Sequence, residues 1–239
     1  GVDHIKLNLT GGIGGPFWDR HYHSLPLQEE LEAAFAICHQ RGYKVMAHAT
    51  NPEMVKAAIR LGAHTVEHGY IMDEECIELF LEHDTFYIPT LCVSHLTTTQ
   101  ATTTWEKQWV EEKPRAPDQI KRADDAVEEH KKSFRQALQA GVKMAVGSDV
   151  RPVGPSTLME MSLWVKDGAS TWQTLVAATK NAAEMCGVGQ DMGTIEVSKL
   201  ADLIVVSRNP LDDINNLRLL ELVFKEGILV ADHRKEIDY

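Results

Sequence analysis

Short apolar runs of period two alternate with amphipathic runs of period near 3.6 along residues 1–190, and this alternation restricts the fold more than any other feature. The first strand covers 5–9, with Ile5, Leu7 and Leu9 on one face and Lys6, Asn8 and Thr10 on the other, until Gly11-Gly12-Ile13-Gly14-Gly15-Pro16 ends it. A helix is predicted over 27–41, with Leu31, Ala34, Phe35 and Cys38 at helical spacing and Gly42 where a C-cap belongs. Strand 43–49 follows. Asn51, Pro52 and Glu53 then supply an N-cap, a first-turn proline and an acidic first turn for a helix ending near Gly62. Strand 63–67, helix 73–83, strand 85–91 and strand 142–147 continue the order, with helices at 157–166 and 171–186, the latter opened by the capping-box pair Ser170 and Gln173. Recurrence at about 20 residues is the sequence form of right-handed βαβ units, so a parallel sheet or a (β/α) barrel is expected and an antiparallel sandwich is excluded. Residues 97–140 are an insertion with Trp105, Trp109, a break at Lys113-Pro114-Arg115-Ala116-Pro117 and a charged helix over 118–140; long loops at strand ends often cover a site.

From residue 191 the pattern changes to short strands, Leu203-Ile204-Val205-Val206 and the run around Leu222 to Val230, with a turn at Glu226-Gly227. The expected division is a barrel portion over 1–190 and a β-sandwich appendage over 191–239, the latter too small to fold alone. A formal charge of −11 repels phosphate backbones and anionic lipid, and no apolar run reaches the roughly 20 residues that a membrane span requires. A small molecule or dipeptide is therefore the expected partner, with neither nucleic acid nor membrane, and with a homo-oligomer possible. Cys38, Cys76, Cys92 and Cys186 form no C-x-x-C and read as reduced residues, which favours the cytoplasm. The chain opens on Gly1 and a strand, so an interior start is expected, with any export signal outside it.

Four polar residues stand at or just past the C-terminal ends of the expected strands: Lys6, His48, His68 and Asp149. In parallel barrels that rim is the catalytic one. A lone strand-end histidine is more often a satisfied core or surface residue than a ligand, but two of them 20 residues apart, at matching positions of consecutive βα units, reverse that weighting. Lys6, between outward-facing Ile5 and Leu7, is expected to point into the barrel, where an unpaired ammonium is costly and calls for a partner or a modification. Asp149 could alternatively cap the following turn. Two imidazoles, a carboxylate and a modified lysine are a ligand set that zinc accepts with room for water. Tyr70, Arg151 and His95 sit on the loops beyond the strands and are expected to contact substrate, although each could be an ordinary loop residue; the group Trp18, Asp19 and Arg20 is weighed in the same way. The glycine run lacks a following Gly-Lys-Ser/Thr, and no nucleotide fingerprint or nucleophile elbow is present.

Ile-Lys-Leu before a Gly-Gly turn, Ala47-His48-Ala49, Glu67-His68-Gly69, Gly147-Ser148-Asp149, and the closing run from Gly193 through Leu200-Ala201-Asp202-Leu203-Ile204-Val205-Val206 to Asn209-Pro210-Leu211 resemble the metal-dependent amidohydrolase superfamily in that order. The closest resemblance is to its imidazolonepropionase-like, prolidase-like and arginine- or lysine-releasing dipeptidase branch. It implies an amidohydrolase-type (β/α)8 barrel, here strands four to eight, with a small C-terminal β-sandwich portion. It also implies a binuclear zinc centre. Lys6 would carry a carbamate derived from carbon dioxide and bridge two ions. His48 and His68 would bind one ion and Asp149 the other, with Asp149 also moving the proton from a bridging hydroxide to the leaving amine. The expected reaction is hydrolysis of an amide bond in a dipeptide or N-acyl amino acid; a cyclic-amide or imidazolone hydrolase and a deaminase are the alternatives, and a non-catalytic barrel used for binding or assembly is the reading from another class. The family's strand-one His-x-His pair has no counterpart ahead of Lys6, since His21-Tyr22-His23 follows it, so the chain is expected to be the C-terminal part of a protein of roughly 400 residues.

Overall fold

The computed structural model describes residues 1–16 and 18–234, so the last five residues of the expected appendage lie outside the described residues. Strands β1 (His4–Asn8), β2 (Lys44–Ala49), β3 (Thr65–His68) and β4 (Phe86–Ile88) pair side by side in chain order, every pair parallel. Helices α1 (Gln28–Gln40), α2 (Pro52–Arg60) and α3 (Glu74–His83) make the crossovers. Local chemistry sets their starts. Asn51 accepts a hydrogen bond from the Met54 amide at 2.9 Å, and Asp73 accepts one from the Cys76 amide at 3.0 Å, which satisfies first-turn donors that have no partner within the helix.

Register decides what each face carries. Asn8, His48, Glu67 and Ile88 form one row across the sheet, and Lys6, Met46, Thr65 and Phe86 form the row below it on the same face. The opposite face sends Val45, Ala47, Val66 and Tyr87 into the main core, with Ile5 and Leu7 packed against it alongside Leu31 and Phe35 of α1 and Val55 and Ile59 of α2. The helix side is thus apolar and the other side bears the polar groups, as expected of a sheet whose helices cover one face.

Three elements differ from the sequence expectation. Strand 85–91 stops at Ile88, because Thr90 takes a left-handed backbone (φ 53°) and the chain turns directly into α4 (Leu91–Ser94). Segment 142–147 makes one parallel bridge, Tyr87 to Met144, and no longer ladder; past it the Val146 amide turns away to the Ala177 carbonyl at 3.3 Å. Helix 171–186 is two helices, α8 (Thr171–Ala178) and α9 (Lys180–Met185), broken at Thr179, whose hydroxyl donates back to the Leu175 carbonyl at 2.7 Å. Before these come α5 (Thr104–Glu112), α6 (Pro117–Ala140) and α7 (Val153–Lys166), so the insertion is mostly helical. Strands β5 (Leu203–Val206), β6 (Leu220–Lys225) and β7 (Ile228–Asp232) form an antiparallel sheet, with Glu226 and Gly227 both at positive φ in its two-residue turn. The closed barrel of the sequence expectation is not seen among the described residues, where the parallel sheet has four strands and two edges. Among the described residues no helix is long and apolar enough to cross a membrane.

Glu160 of α7 ties the helices to the strand ends. Fully buried, it accepts the Leu91 amide and the Trp164 indole N–H on one oxygen (2.7 and 3.0 Å) and the Cys92 amide on the other (2.7 Å). Glu160→Gln turns one acceptor into a donor facing an N–H, so we expect a loss of about 1–3 kcal/mol in denaturant unfolding. Unchanged stability would mean that those N–H groups find another acceptor.

Candidate active site

A cavity of about 380 Å³ opens beyond the C-terminal ends of β1 to β4, where parallel sheets place their reactive groups. Its walls include Asn8, His48, His68, Tyr70 and Asp149, with the glycine loop on one side and Arg115 of the α5–α6 linker on another. Strand alternation alone would send His68 to the helix side with Val66. Its backbone is instead left-handed (φ 75°), which brings its ring to 4.4 Å from that of His48, centroid to centroid. Thr90 and Asp149, both at φ 53°, share that rare conformation. These three residues, two lining the cavity and Thr90 bonded to the His68 ring, store local strain that the surroundings must hold in place.

The tautomer of each imidazole follows from its partners. His48 Nε2 lies 3.0 Å from the Gly11 carbonyl, which can only accept, so Nε2 carries the proton and Nδ1 keeps its lone pair. The Thr90 hydroxyl donates to the Pro89 carbonyl, so His68 Nδ1–H, 2.6 Å away, donates to Thr90 Oγ1. That leaves the His68 Nε2 lone pair buried without a partner. Burial lowers both pKa values, His68 well below the ordinary histidine range with the neighbouring His48 and Lys6 adding to the effect, so both rings are neutral near pH 7. A neutral imidazole with its second nitrogen fixed by an outer partner is the form that binds a divalent cation, and the orphaned Nε2 shows the fit. Among the described residues no three His, Cys, Asp or Glu side chains close into one set.

The remaining sequence candidates divide sharply. Asp149 and Tyr70 line the cavity with the two histidines. Lys6 lies on the same sheet face but is exposed, since β1 is an edge strand; burial therefore imposes no cost that would demand modification. Arg151 is exposed and outside the cavity lining. His21, from the His-x-His segment, is buried with its ring 5.9 Å from that of Tyr70.

His95 is buried behind the wall, in a directional relay. The Tyr87 hydroxyl donates to the His68 carbonyl at 2.9 Å, so His130 Nε2–H, 3.2 Å away, donates to Tyr87. His130 Nδ1 then accepts from the Ser94 hydroxyl (2.7 Å), and the proton left to His95 Nδ1 goes to Ser94 Oγ (2.7 Å). His95 Nε2 ends 3.2 Å from Asp167 Oδ2, where two lone pairs would face each other unless the pair holds one proton. Burial raises the Asp167 pKa and lowers that of His95, so it opposes the charged form of both partners.

Sequence reasoning missed the residues that hold the walls. Arg122 of α6 is buried and donates to the carbonyls of Gly12 (3.0 Å), Gly15 (2.6 Å), Pro16 (3.2 Å) and Asp19 (2.6 Å), which fixes the glycine loop. Ser133, three turns along the same helix, donates to the Tyr70 carbonyl and accepts the Met72 amide. The polar stripe Arg122, His130, Ser133 at helical spacing was the available signal. Glu67, beside His48 in the strand register, is pushed up to about 7 by burial and leaves Oε2 unpartnered.

Comparison with known proteins agrees with this layout. A profile of the amidohydrolase family matches residues 13–230. An ochratoxinase from Aspergillus niger is 29% identical over 217 residues, which cover 90% of this chain and 42% of that protein. Among solved structures, a Xaa-Pro dipeptidase with methionine bound in its active site superposes with a TM-score of 0.81 at 29% identity, over 96% of this chain and 54% of the other. A putative prolidase from Bifidobacterium longum gives 0.80 at 32%, over 96% and 56%. The chain thus spans about half the length of these relatives.

The hydroxyl of Thr90 is expected to set the His68 tautomer. Long-range ¹H–¹⁵N correlation should show Nδ1–H in the wild type and Nε2–H in Thr90→Val, which keeps the side-chain shape but offers Nδ1 no acceptor. An Nε2–H wild type would refute the assignment.

Proposed function

The chain belongs to the amidohydrolase family, and from that membership we propose that the protein containing it hydrolyses a carbon–nitrogen bond, the amide of a dipeptide or N-acyl amino acid. The observation that carries this reading is the lone pair of His68 Nε2, buried without a partner, on a ring 4.4 Å from that of His48 in the cavity that Asp149 lines. The names of the relatives, a Xaa-Pro dipeptidase and a prolidase, support an amide substrate.

In this reading His48, His68, Asp149 and Lys6, the last as a carbamate, would hold divalent cations, zinc in the first instance. Such an ion supplies acidified water near neutral pH and polarisation of the scissile carbonyl. Asp149 Oδ takes the proton from the attacking water and passes it to the departing amine, a general base and then a general acid on one carboxylate. Burial raises the pKa of Tyr70 far above its ordinary value, so its phenol stays protonated and can donate to the carbonyl oxygen as negative charge develops there. Thr90 and Tyr87 hold His68 from its ring and its backbone. Residues 1–190 form the barrel portion and 191–239 the appendage in the same reading, with a small-molecule substrate as partner.

Metal analysis of the full-length protein, coupled to hydrolysis of N-acyl amino acids and dipeptides, tests this. About two zinc or manganese ions per chain are expected, with activity down at least about 100-fold in Lys6→Ala and Asp149→Asn. A metal-free protein with unmodified Lys6 and no hydrolysis would favour the non-catalytic binding barrel instead.

A further inference from the structure

Pro114-Arg115-Ala116-Pro117 reads in sequence as a break between helices, and the structure gives it a second use. Arg115 lies between the last residue of α5 and the first turn of α6, where flanking prolines restrict the backbone, and its side chain reaches the cavity. One guanidinium nitrogen donates to the Val93 carbonyl and another to the Cys92 carbonyl at 3.0 Å. These two bonds position the group and leave three of its five N–H donors for something else.

Among the described residues no carboxylate lies within ion-pair distance of Arg115, although twelve other lysines and arginines have such a partner. Burial of this charge lowers its pKa, and only the weakly acidic Tyr70 and Cys92 work against that; no carboxylate does. Among the described residues it is also the only lysine or arginine lining the cavity, whose wall it shares with Tyr70, Gln119, Asp19 and Asp149. A fork of donors that is held in place, partly desolvated and without an anion is a receptor for a planar anion. The two lining carboxylates oppose a doubly charged phosphate and leave a single carboxylate as the fitting group.

We propose that Arg115 binds the free carboxylate of the substrate's amine-side residue, so that the site selects amides of amino acids with an unblocked C-terminus over amides that lack that charge. The assignment rests on the amide-hydrolase reading above for the orientation of the substrate. Tyr70 lines the same cavity as the proton-transfer group Asp149 and the guanidinium of Arg115. A substrate whose carbonyl meets Tyr70 and whose amine leaves toward Asp149 can then direct the carboxylate on the adjacent carbon to Arg115.

Binding separates this assignment from catalysis. The full-length protein is titrated with N-acetylalanine and with N-acetylalaninamide, which differ only in the carboxylate, by ligand-observed NMR. Tighter binding of the acid by about tenfold to 100-fold is expected, from the worth of hydrogen bonds to a charged group. That preference should vanish in Arg115→Gln and be partly kept in Arg115→Lys, which retains charge without the planar fork. Equal binding of acid and amide by the wild type, a comparison that does not depend on any variant folding, would overturn the assignment; so would a full preference in folded Arg115→Gln. Acid-selective binding that depends on Arg115, with no hydrolysis of either compound, would sustain the assignment and overturn the amide-hydrolase reading instead.

Discussion

The left-handed turn at His68 is the constraint on which the site depends. With an ordinary strand backbone its imidazole would join Val66 on the helix side, and the cavity would hold one histidine. Positive φ in a residue with a Cβ costs on the order of 1–3 kcal/mol, which neighbouring contacts must offset. Two residues of the next strand segment supply them: Thr90 holds the ring through Nδ1, and Tyr87 holds the carbonyl. The first depends on β4 ending early, because Thr90 can face His68 only where the chain has left the ladder, whereas Tyr87 acts from within the strand.

Behind this contact the protein invests in buried polar groups. Arg122, His130, Ser133 and Glu160 are all nearly inaccessible, and each is satisfied by carbonyls, amides or hydroxyls of segments that border the cavity. Buried charge is costly unless its hydrogen bonds are complete, so these residues contribute little net stability. What they provide is uniqueness: a loop of four glycines in five residues has no apolar side chain but Ile13 to hold it, and Arg122 closes on four of the carbonyls at 12–19. The insertion is in this sense the scaffold of the cavity wall.

The order of strands and helices was legible because apolar spacing reports which face meets the core, and Ile5, Leu7, Leu31 and Phe35 lie where that spacing put them. Strand ends were less legible. Nothing in Tyr87-Ile88-Pro89-Thr90 announces a left-handed threonine, and Val142 to Gly147 carries a strand-like composition, yet makes a single bridge. Among the candidates, His48, His68, Tyr70 and Asp149 come to one cavity because strand ends converge there. His95 followed the same rule and ended behind the wall, since position past a strand does not say which way a side chain turns. Lys6 shows the reverse case: alternation gives its face, but burial depends on what neighbours an edge strand has.

Under the proposal that Arg115 binds a carboxylate, electrostatics at two ranges explain how a chain of formal charge −11 can handle that anion. At long range the net charge repels a carboxylate, but salt at physiological strength screens that field beyond about 8 Å. At contact, a partly desolvated guanidinium acts through a lower dielectric and through oriented donors, where each charge-assisted bond counts for more than the distant surface charge. In that proposal recognition is a matter of placement after entry and not of attraction from solution. That is consistent with a guanidinium carried on a proline-flanked linker and anchored by two carbonyls, since a group that acts only at contact must already be in position when the substrate arrives.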